Sequence, residues 1–249
     1  MDSRPNAKIK VIDFTKTFGS LLVLDRINFE IMEGELVSIV GPTGCGKTTF
    51  LNCMSKLTET TDGNIYIDGE VADPRKHNLA FVFQEPTALP WRTVAENVSY
   101  GMEIKKFPPD QLKKRLSYIL NLVGLDGTAN LYPNQVSASM MQRIAVARAF
   151  AVNPDLLLMD EPYGQLDVKL RFYLEDELIK LWQALKSTVL FVTHNIEEAV
   201  YLAERIIVLS PKPTKVKAEV RVDLPRPRNF QDPKFVEIRR HVTDLIRWW

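Results

Sequence analysis

The sequence predicts an α/β protein in which strand–helix units flank a helical insert. Short apolar runs typical of buried strands occur at 36–40 (LVSIV), 156–159 (LLLM), 189–193 (VLFVT) and 206–209 (IIVL). A glycine-rich loop and a helical pattern follow the first run, whereas the residues between 86 and 151 are mostly helical in pattern. Strand–helix units around a helical segment indicate an α/β core with a helical subdomain.

Further strands are expected before the first buried run and after the helix that follows it. Ile27, Phe29 and Ile31 alternate with polar residues, which is the period of a half-buried strand. The sequence NIYI at 64–67 lies between two Asp-Gly pairs, and such pairs are typical of turns. We therefore expect strands on both sides of the first helix.

Four helices and a C-terminal strand and helix are expected in the rest of the chain. The helix that starts at Pro108-Pro109-Asp110 carries Leu112 and Leu116 on one face and ends at Gly124. The other helices are expected at 47–57, 139–151 and 168–186, and the tail has an alternating strand at 216–222 and a helix toward Trp248-Trp249. We expect one domain made of a core (1–86 and 152–210), a helical subdomain (87–151) and a tail (211–249).

Composition excludes several classes of function. The formal net charge of +1 gives no basic field for nucleic acid, so no nucleic-acid partner is expected. Two cysteines, Cys45 and Cys53, cannot form a disulfide framework, which fits a reducing cytosol. The first residues lack the apolar core of a signal peptide, and no apolar run approaches the ~20 residues that span a bilayer. If this protein serves a process at a membrane, the membrane-spanning part is therefore expected on another chain.

The sequence GPTGCGKT at 41–48 fits the phosphate-binding pattern G-x-x-x-x-G-K-[ST]. Its glycines let backbone N–H groups curl around a polyphosphate, and the following helix directs its positive end at the same oxygens. Lys47 is expected to reach the β- and γ-phosphates and Thr48 to ligate Mg²⁺. The alternative is a chance glycine-rich turn. The expected strand before the loop and the expected helix after it favour the phosphate loop, because that motif requires both. The nucleotide-binding residues expected here are Gly41, Pro42, Thr43, Gly44, Cys45, Gly46, Lys47, Thr48 and Thr49.

Cys45 lies inside this loop, where two interpretations are open. It is either a bystander, which we favour, or a nucleophile whose pKa the loop lowers.

Two acids follow the apolar run at 156–159. Asp160 at the end of the expected strand can hold Mg²⁺, directly or through water. Glu161 is then placed to polarise an attacking water as a general base. A solvated strand end before Pro162 is the alternative, and the upstream phosphate loop disfavours it.

The order of these motifs resembles the ABC ATPase family over nearly the whole chain. Gln84, ending the expected strand LAFVFQ, matches the glutamine loop that senses γ-phosphate and Mg²⁺, and His194 in FVTHN matches the switch histidine. Gly164–Asp167 (GQLD) resembles the loop that crosses the dimer interface, with Gln165 in place of a small residue and Asp167 acting in trans. Phe18 in KTFG occupies the place of an adenine-stacking ring, and ordinary core packing is the alternative.

The segment Gln135–Ala149 occupies the place of the family's signature sequence. Ser137, Gln142 and Arg143 match, and Ser137 is expected to face the nucleotide of the partner subunit. Ala138 and Ser139 replace the two glycines of the usual LSGGQ. Either the chain is active as a homodimer, which we favour, or it needs a second ATPase with a regular signature.

The resemblance implies a P-loop NTPase (RecA-like) core with an antiparallel β subdomain and an inserted helical subdomain. It implies ATP hydrolysis with ATP and Mg²⁺, the metal held by Thr48, Gln84 and Asp160, and catalysis by Glu161 and His194 with Lys47 and Gln84. The implied partners are a second ATPase subunit, membrane permease subunits and, indirectly, an extracytoplasmic solute-binding protein. The implied location is the cytoplasmic face of the inner membrane, as a peripheral subunit.

Two further segments narrow the resemblance. The sequences ALPWRTVAENVSYGM (88–102) and DLPRPR (223–228) resemble importers of the nitrate, sulfonate and taurine branch. The loop Gln84–Trp91 is expected to dock on the membrane subunits, with a buried loop as the alternative. A GTPase would need an N-K-x-D motif, which is absent from the sequence, and a kinase would not explain Gln84, Ser137 and His194 together. A soluble ABC protein unconnected with transport is the remaining alternative.

Overall fold

The computed structural model describes residues 7–164 and 166–246. The strands follow in chain order as β1 (Ala7–Phe18), β2 (Leu21–Met32), β3 (Leu36–Val40), β4 (Asp62–Ile67), β5 (Glu70–Val71), β6 (Leu79–Val82), β7 (Leu156–Asp160), β8 (Thr188–Val192), β9 (Arg205–Leu209) and β10 (Val216–Arg221). The helices are α1 (Lys47–Met54), α2 (Val94–Ile104), α3 (Pro109–Leu122), α4 (Ala138–Ala151), α5 (Val168–Leu185), α6 (Ile196–Leu202) and α7 (Pro233–Ile246). The chain forms two compact units, one made of the residues up to Asn78 and from Lys186 onward, the other of Leu79–Leu185.

The first unit contains an antiparallel sheet in the order β2-β1-β4-β5. Ile27, Phe29 and Ile31 are buried on one face of β2, which confirms the alternation expected there. Phe50 of α1 packs against this face, with its ring centroid 5.6 Å from that of Phe14 and 5.4 Å from that of Phe29. The helix after the glycine-rich loop is therefore anchored to the antiparallel sheet by an aromatic cluster.

The first unit also holds the strand order β10-β9-β3-β8. β3 pairs in parallel with both β8 and β9, whereas β10 pairs antiparallel with β9. All residues of β3 and β8 are buried, as the continuous apolar runs predict. Because β3 and β8 run in parallel, the segments after Val40 and after Val192 leave the sheet at the same edge.

The second unit combines the parallel pair β6 and β7 with helices α2 to α5. Val82 of β6 lies opposite Met159 of β7, so the residues that follow these strands emerge together. Helix α2 starts with a capping box, in which the Thr93 side chain accepts from the Glu96 N–H and the Glu96 carboxylate from the Thr93 N–H.

Several expected boundaries are wrong. The helix after the phosphate loop ends at Met54 rather than near Leu57, since Lys56 adopts a left-handed φ of 57° that an α-helix does not continue through. The strand LAFVFQ ends at Val82, so Gln84 lies two residues beyond it. Helix α6 was not expected from the sequence. The described part of the last helix ends at Ile246, and Trp248-Trp249 lie outside the described residues.

The α/β class and its mixed sheets agree with a P-loop NTPase fold. The finer division at residues 87, 151 and 210 stays a prediction. Within the ranges 7–164 and 166–246, helices that combine the length and the apolar character for a membrane span are absent.

Candidate functional site

The phosphate loop follows β3 directly and leads into α1. Lys47 is buried, and its Nζ donates to the Gly41 carbonyl at 2.9 Å and the Pro42 carbonyl at 3.2 Å. Thr48 is exposed in the first turn of α1. The ammonium therefore lies inside the curl of the loop, where an anion bound by the backbone N–H groups would meet it.

Two glycines of this loop stand where side chains do not fit. Gly46 has a φ of 112°, and a Cβ there would lie 2.9 Å from a methyl of Val23 and 3.0 Å from one of Leu24. A Cβ on Gly41 would lie 3.0 Å from the Cβ of Leu209. The glycines thus serve both the backbone conformation and the close packing of the loop on its own unit.

Thr214 supports the same loop from the segment after β9. It is fully buried, and its Oγ1 donates to the Cys45 carbonyl at 2.5 Å. Its backbone N–H donates to the Val23 carbonyl at 2.9 Å. Sequence reasoning missed Thr214, because nothing in the local pattern links it to residues 169 positions earlier.

The interpretation of Cys45 as an activated nucleophile is wrong. Its side chain is buried, and burial raises the pKa of the Cys45 thiol despite the nearby Lys47 ammonium, which acts in the opposite direction. A raised pKa favours the protonated thiol, which is a weaker nucleophile than the thiolate. Cys45 is a packing residue of the loop.

His194 leaves the sheet at the same edge as the phosphate loop. The preceding Thr193 donates its N–H to the Ile39 carbonyl of β3 at 3.2 Å, and His194 itself is exposed. Asn195 then caps α6, its Oδ1 accepting from the N–H groups of Glu197 and Glu198. The first unit therefore brings together two of the expected site elements, the loop with Lys47 and the histidine.

The second unit brings together Gln84, Asp160 and Glu161. Asp160 ends β7 with 2% of its surface exposed, and the half-buried Glu161 follows it. Glu161 has a φ of 45°, a conformation that residues other than glycine seldom adopt and that clusters at functional sites. The Gln84 amide Nε2 donates to Glu161 Oε2 at 3.2 Å. A glutamine two residues past its strand thus contacts the expected general base.

The residues expected to hold Mg²⁺ fit that ion by donor chemistry. They offer a hydroxyl (Thr48), an amide oxygen (Gln84) and a carboxylate (Asp160), and Mg²⁺ prefers oxygen ligands. Within the described ranges, clusters of three or more His, Cys, Asp or Glu side chains that could hold a metal do not occur. A single carboxylate together with substrate phosphates is a usual Mg²⁺ arrangement, so the residues are compatible with a nucleotide-bound ion.

Phe18 is exposed, which makes the core-packing interpretation wrong. Half of its surface is accessible at the tip between β1 and β2, and the Lys16 ammonium lies 4.6 Å from the ring centroid. Lys16 Nζ also donates to the Glu59 carbonyl at 2.6 Å, which fixes the cation beside the ring. The ring is thereby available for stacking on a flat ligand.

The altered signature begins α4. Ser137 is the N-cap, its Oγ accepting from the Met140 N–H at 3.3 Å, and it lies 3.1 Å from the Ser139 Oγ. Ser137 and Ala138 are exposed. The N–H groups of the first turn therefore remain on a surface of the unit despite the two substituted glycines.

The other matched residues of this segment have structural contacts. The buried Gln142 donates to the carbonyl of Pro162, next to Glu161. Arg143 donates to the carbonyls of Val123 and Gly124 after α3, at 3.0 and 2.8 Å. Asp167 is exposed before α5, and its Oδ1 accepts from the Leu170 N–H at 3.0 Å. Gln165 lies outside the described residues.

The backbone of the loop Gln84–Trp91 is held by hydrogen bonds to neighbouring helices, and the last residue of the loop is exposed. Trp91 is 71% accessible, whereas Leu89 is half-buried. The buried Asn97 exchanges two hydrogen bonds with Leu89, at 2.7 and 3.1 Å. Arg148 of α4 donates to Asn97 Oδ1 and to the Thr87 carbonyl, both at 2.5 Å. Sequence reasoning missed Asn97 and Arg148, which connect this loop to the signature helix.

Known proteins resemble this chain over most of its length. The sequence profile described as ABC transporter matches residues 24–164. An uncharacterized ABC transporter ATP-binding protein of Methanocaldococcus jannaschii is 40% identical over 248 residues, 98% of this chain and 93% of that protein. The aliphatic sulfonates import ATP-binding protein SsuB of Bacillus cereus is 40% identical over 236 residues, 94% of this chain and 92% of SsuB.

The solved structures that resemble the chain include ATP-binding cassettes. A dimeric cassette in a post-hydrolysis state, bound to ADP and Pi, has a TM-score of 0.78 and 34% identity and covers 87% of this chain and 100% of its own. A dimeric bacterial ABC transporter cassette has a TM-score of 0.79 and 35% identity, with the same coverage.

Proposed function

This chain belongs to the ABC transporter family and is an ATP-hydrolysing subunit of that family, and we propose that it energises an importer for a small anion of the sulfonate type. Nitrate and taurine are the other solutes of this proposed branch. The relatedness to SsuB at 40% identity supports the proposal. The ATPase subunit does not touch the solute, so the solute assignment rests on that relatedness and on the resemblance of segments 88–102 and 223–228 to the same branch.

The observation that carries the catalytic assignment is the pairing of Gln84 with Glu161 at the ends of two parallel strands. We assign to Glu161 the deprotonation of the attacking water, and to Gln84 the placement of that carboxylate. The Lys47 ammonium and the His194 imidazole then contact the γ-phosphate. There they stabilise the negative charge that develops as the γ-phosphoryl group is transferred to water.

The remaining residues bind and orient the nucleotide. Phe18 stacks on the adenine and the loop 41–49 wraps the phosphates. Thr48, Gln84 and Asp160 would hold Mg²⁺, which supplies charge neutralisation of the phosphates when bound.

We propose that two copies work together. The dimeric state of the similar cassettes supports this arrangement. Each nucleotide then lies between the phosphate loop of one copy and Ser137 of the partner subunit, with Asp167 of the partner subunit beside it. Membrane permease subunits bind at the loop Gln84–Trp91, and an extracytoplasmic solute-binding protein delivers the solute. The chain acts as a peripheral subunit at the cytoplasmic face of the membrane.

The catalytic assignment is tested with Glu161→Gln. Glu85→Gln is the control, because it makes the same chemical change at the exposed residue that follows Gln84. We expect hydrolysis by Glu161→Gln to fall by about 10²–10⁴-fold, the usual contribution of a general base, while ATP still binds. A parental rate in Glu161→Gln would show that Glu161 is not the base.

The test of the solute is growth of the source organism carrying Glu161→Gln at the chromosomal locus. We expect a specific loss of growth on alkanesulfonates as the sole sulfur source, with normal growth on sulfate. Loss on nitrate alone, or on neither, would refute the sulfonate assignment. The alternatives to this proposal are an ABC ATPase unconnected with transport and a subunit active only beside a second ATPase.

A further inference from the structure

Helix α6 begins at Ile196, two residues after His194, and is held at its first turn by side chains. Asn195 Oδ1 accepts from the Glu197 N–H at 3.0 Å and from the Glu198 N–H at 3.3 Å. Thr193 Oγ1 donates to the buried Glu198 carboxylate. The residues on both sides of His194 are thus tied to the start of α6, so movement of the helix would move the histidine.

The other end of α6 is held by two arginines of the DLPRPR segment. Arg228 is 8% exposed, and its Nη1 donates to the carbonyls of Val200, Tyr201 and Ala203 at 2.7, 3.1 and 2.5 Å. Arg226 donates to the carbonyls of Tyr201 and Leu202. The last carbonyls of a helix have no partner within it and carry its negative end, so guanidinium groups stabilise them.

Arg228 also connects this helix end to the residues that follow β10. Its Nη2 donates to the Val222 carbonyl at 3.0 Å and its Nε to the Leu224 carbonyl at 3.4 Å. Burial, with the nearby Arg226 guanidinium as a smaller cause, lowers the pKa of Arg228 to about 10. The guanidinium therefore stays charged at neutral pH while it spans both segments.

The tail reaches the side of α6 as well. Phe230 stacks on Tyr201 with 4.8 Å between ring centroids and an interplanar angle of 9°, and it meets Phe235 of α7 edge-on at 5.1 Å. Arg239 of α7 forms an ion pair with Glu197 in the first turn of α6, with Nη1 and Oε1 2.5 Å apart. The segment Val222–Arg239 thus contacts both ends of α6.

We propose that the segment Val222–Arg239, which we name the tail clamp, positions His194 for the γ-phosphate by fixing α6, with Arg228 as its main positioning residue. A seven-residue helix is too short to be stable by itself, so its orientation depends on such contacts. The tail clamp acts through His194 and never touches the nucleotide. The proposal rests on the assignment of His194 to the γ-phosphate in the proposed function.

The test measures the preference for ATP over ADP, because His194 acts on the one phosphate that distinguishes them. Dissociation constants for ATP and ADP are measured by displacement of a fluorescent ADP analogue in a Glu161→Gln background, which keeps ATP intact. Arg228→Lys keeps the charge but loses the planar fork that spans several carbonyls. Arg221→Lys, exposed on β10, is the matched control.

We expect Arg228→Lys to weaken ATP binding by about fivefold or more, the lower end of coupling between linked sites, with ADP binding unchanged. His194→Ala should have the same kind of effect, and the two changes together should cost no more than His194→Ala alone. Arg221→Lys should match the parent. An equal loss for ATP and ADP, or a further loss when Arg228→Lys is added to His194→Ala, would overturn the proposal.

The outcomes separate this proposal from the function on which it rests. If His194→Ala leaves the preference unchanged, the role of His194 in the proposed function is wrong and the tail clamp falls with it. If His194→Ala lowers the preference and a folded Arg228→Lys does not, only the tail clamp is wrong.

A second variant covers the case in which Arg228→Lys does not fold. Arg239→Gln removes the half-exposed ion pair with Glu197, and such pairs contribute little to stability, so this variant should fold. We expect it to lower the ATP preference by about twofold, because the pair is weak, and Arg239→Lys to restore it. No change in Arg239→Gln would overturn the proposal in that case.

Discussion

The Lys47 ammonium is held by two backbone carbonyls of its own loop, at 2.9 and 3.2 Å. It is buried and needs little rearrangement to exchange these neutral acceptors for phosphate oxygens, which bind a cation more strongly. The same ammonium group therefore stabilises the loop in this structure and, in the proposed function, binds the phosphates.

We expect Lys47→Ala to lose hydrolysis and to weaken ATP binding by about 10–150-fold, which corresponds to about 1.5–3 kcal/mol for one charge-assisted hydrogen bond. Isothermal titration with ATP and a phosphate-release assay measure the two effects. Lys56→Ala, which removes an exposed lysine just after α1, should behave as the parent. Retained ATPase activity in Lys47→Ala would refute the phosphate-loop assignment.

For Phe18 the exposed position predicts an effect on nucleotide affinity and none on folding. We expect Phe18→Ala to raise the ATP concentration needed for half-maximal hydrolysis several-fold, because one aromatic stacking contact contributes about 0.5–1.5 kcal/mol. Its thermal unfolding should match the parent. Phe14→Ala, which opens a cavity beside Phe50, should instead lose about 3–5 kcal/mol of stability. Unfolding of Phe18→Ala would contradict the exposed position.

The positions of candidate site residues were predictable from the sequence where a local motif contains them. Lys47 and Glu161 each stand beside a buried strand within a short recognisable pattern. Thr214 and Arg148 were not predictable, because their roles consist of hydrogen bonds to carbonyls far away along the chain. The protonated state of Cys45 also follows from burial, which a loop sequence does not reveal.

At the scale of single elements, the loop Gln84–Trp91 combines a rigid base with an exposed tip. Asn97 and Arg148 hold the backbone at Leu89 and Thr87, whereas Trp91 projects with most of its surface accessible. A large exposed aromatic ring on a fixed backbone is suited to insert into a partner, since little conformational entropy is lost on binding.

We expect Trp91→Ala to retain ATP binding and basal hydrolysis but to reduce co-purification with the membrane subunits from solubilised membranes. Removal of a central aromatic anchor is among the most damaging changes at an interface. Tyr118→Ala removes an exposed aromatic ring from α3 and serves as the control. Unchanged recovery of membrane subunits with Trp91→Ala would show that the loop is not the docking site.

Helix α4 begins at a signature with two unusual residues, and its N-terminus retains its donors. Ala138 and Ser139 add side-chain atoms but remove no N–H group, and the two hydroxyls of Ser137 and Ser139 lie 3.1 Å apart. The positive end of the helix therefore remains exposed, as the proposed contact with a nucleotide held by the partner subunit requires.

We expect Ala138→Gly combined with Ser139→Gly to change the rate of hydrolysis less than Glu161→Gln does. Phosphate release from the purified chain measures both. The parent provides the reference, and the double variant should retain its fold, although glycine lowers the helix propensity by about 1 kcal/mol per residue. An inert parent that gains activity with the two glycines would replace the homodimer by the heteromeric arrangement.

The elements differ in how well the sequence predicted them. The buried strands β3, β7, β8 and β9 were found because each gives a continuous apolar run that is short enough for a strand and too short for a typical helix. Helix α6 was missed, because seven residues contain too few turns for a periodic pattern and its ends are held by hydrogen bonds with Asn195, Arg226 and Arg228. The end of β6 was misplaced because Phe83 continues the apolar run up to Gln84, whereas the pairing of β6 with β7 stops at Val82.

For the whole molecule, the α/β class was predicted from the strand–helix units and the family from the order of motifs along the chain, and both are confirmed. Sequence order could not reveal the compact unit Leu79–Leu185, which joins strands β6 and β7 to the helices around them. That grouping depends on side-chain contacts such as Arg148 with Asn97 and Arg143 with Gly124, which lie far apart in sequence.

The altered signature raises the question of whether hydrolysis requires two copies of the chain. If the working site needs Ser137 and Asp167 of the partner subunit, an isolated copy is inactive and activity follows the fraction of dimer. By mass action, the rate per chain should then rise about twofold for each doubling of protein concentration below the dimer dissociation constant, and level off above it. Phosphate release over a dilution series measures this dependence, and sedimentation of Glu161→Gln with ATP measures the dimer directly. A rate per chain that is constant over the whole series, with Glu161→Gln remaining monomeric in ATP, would contradict the shared site.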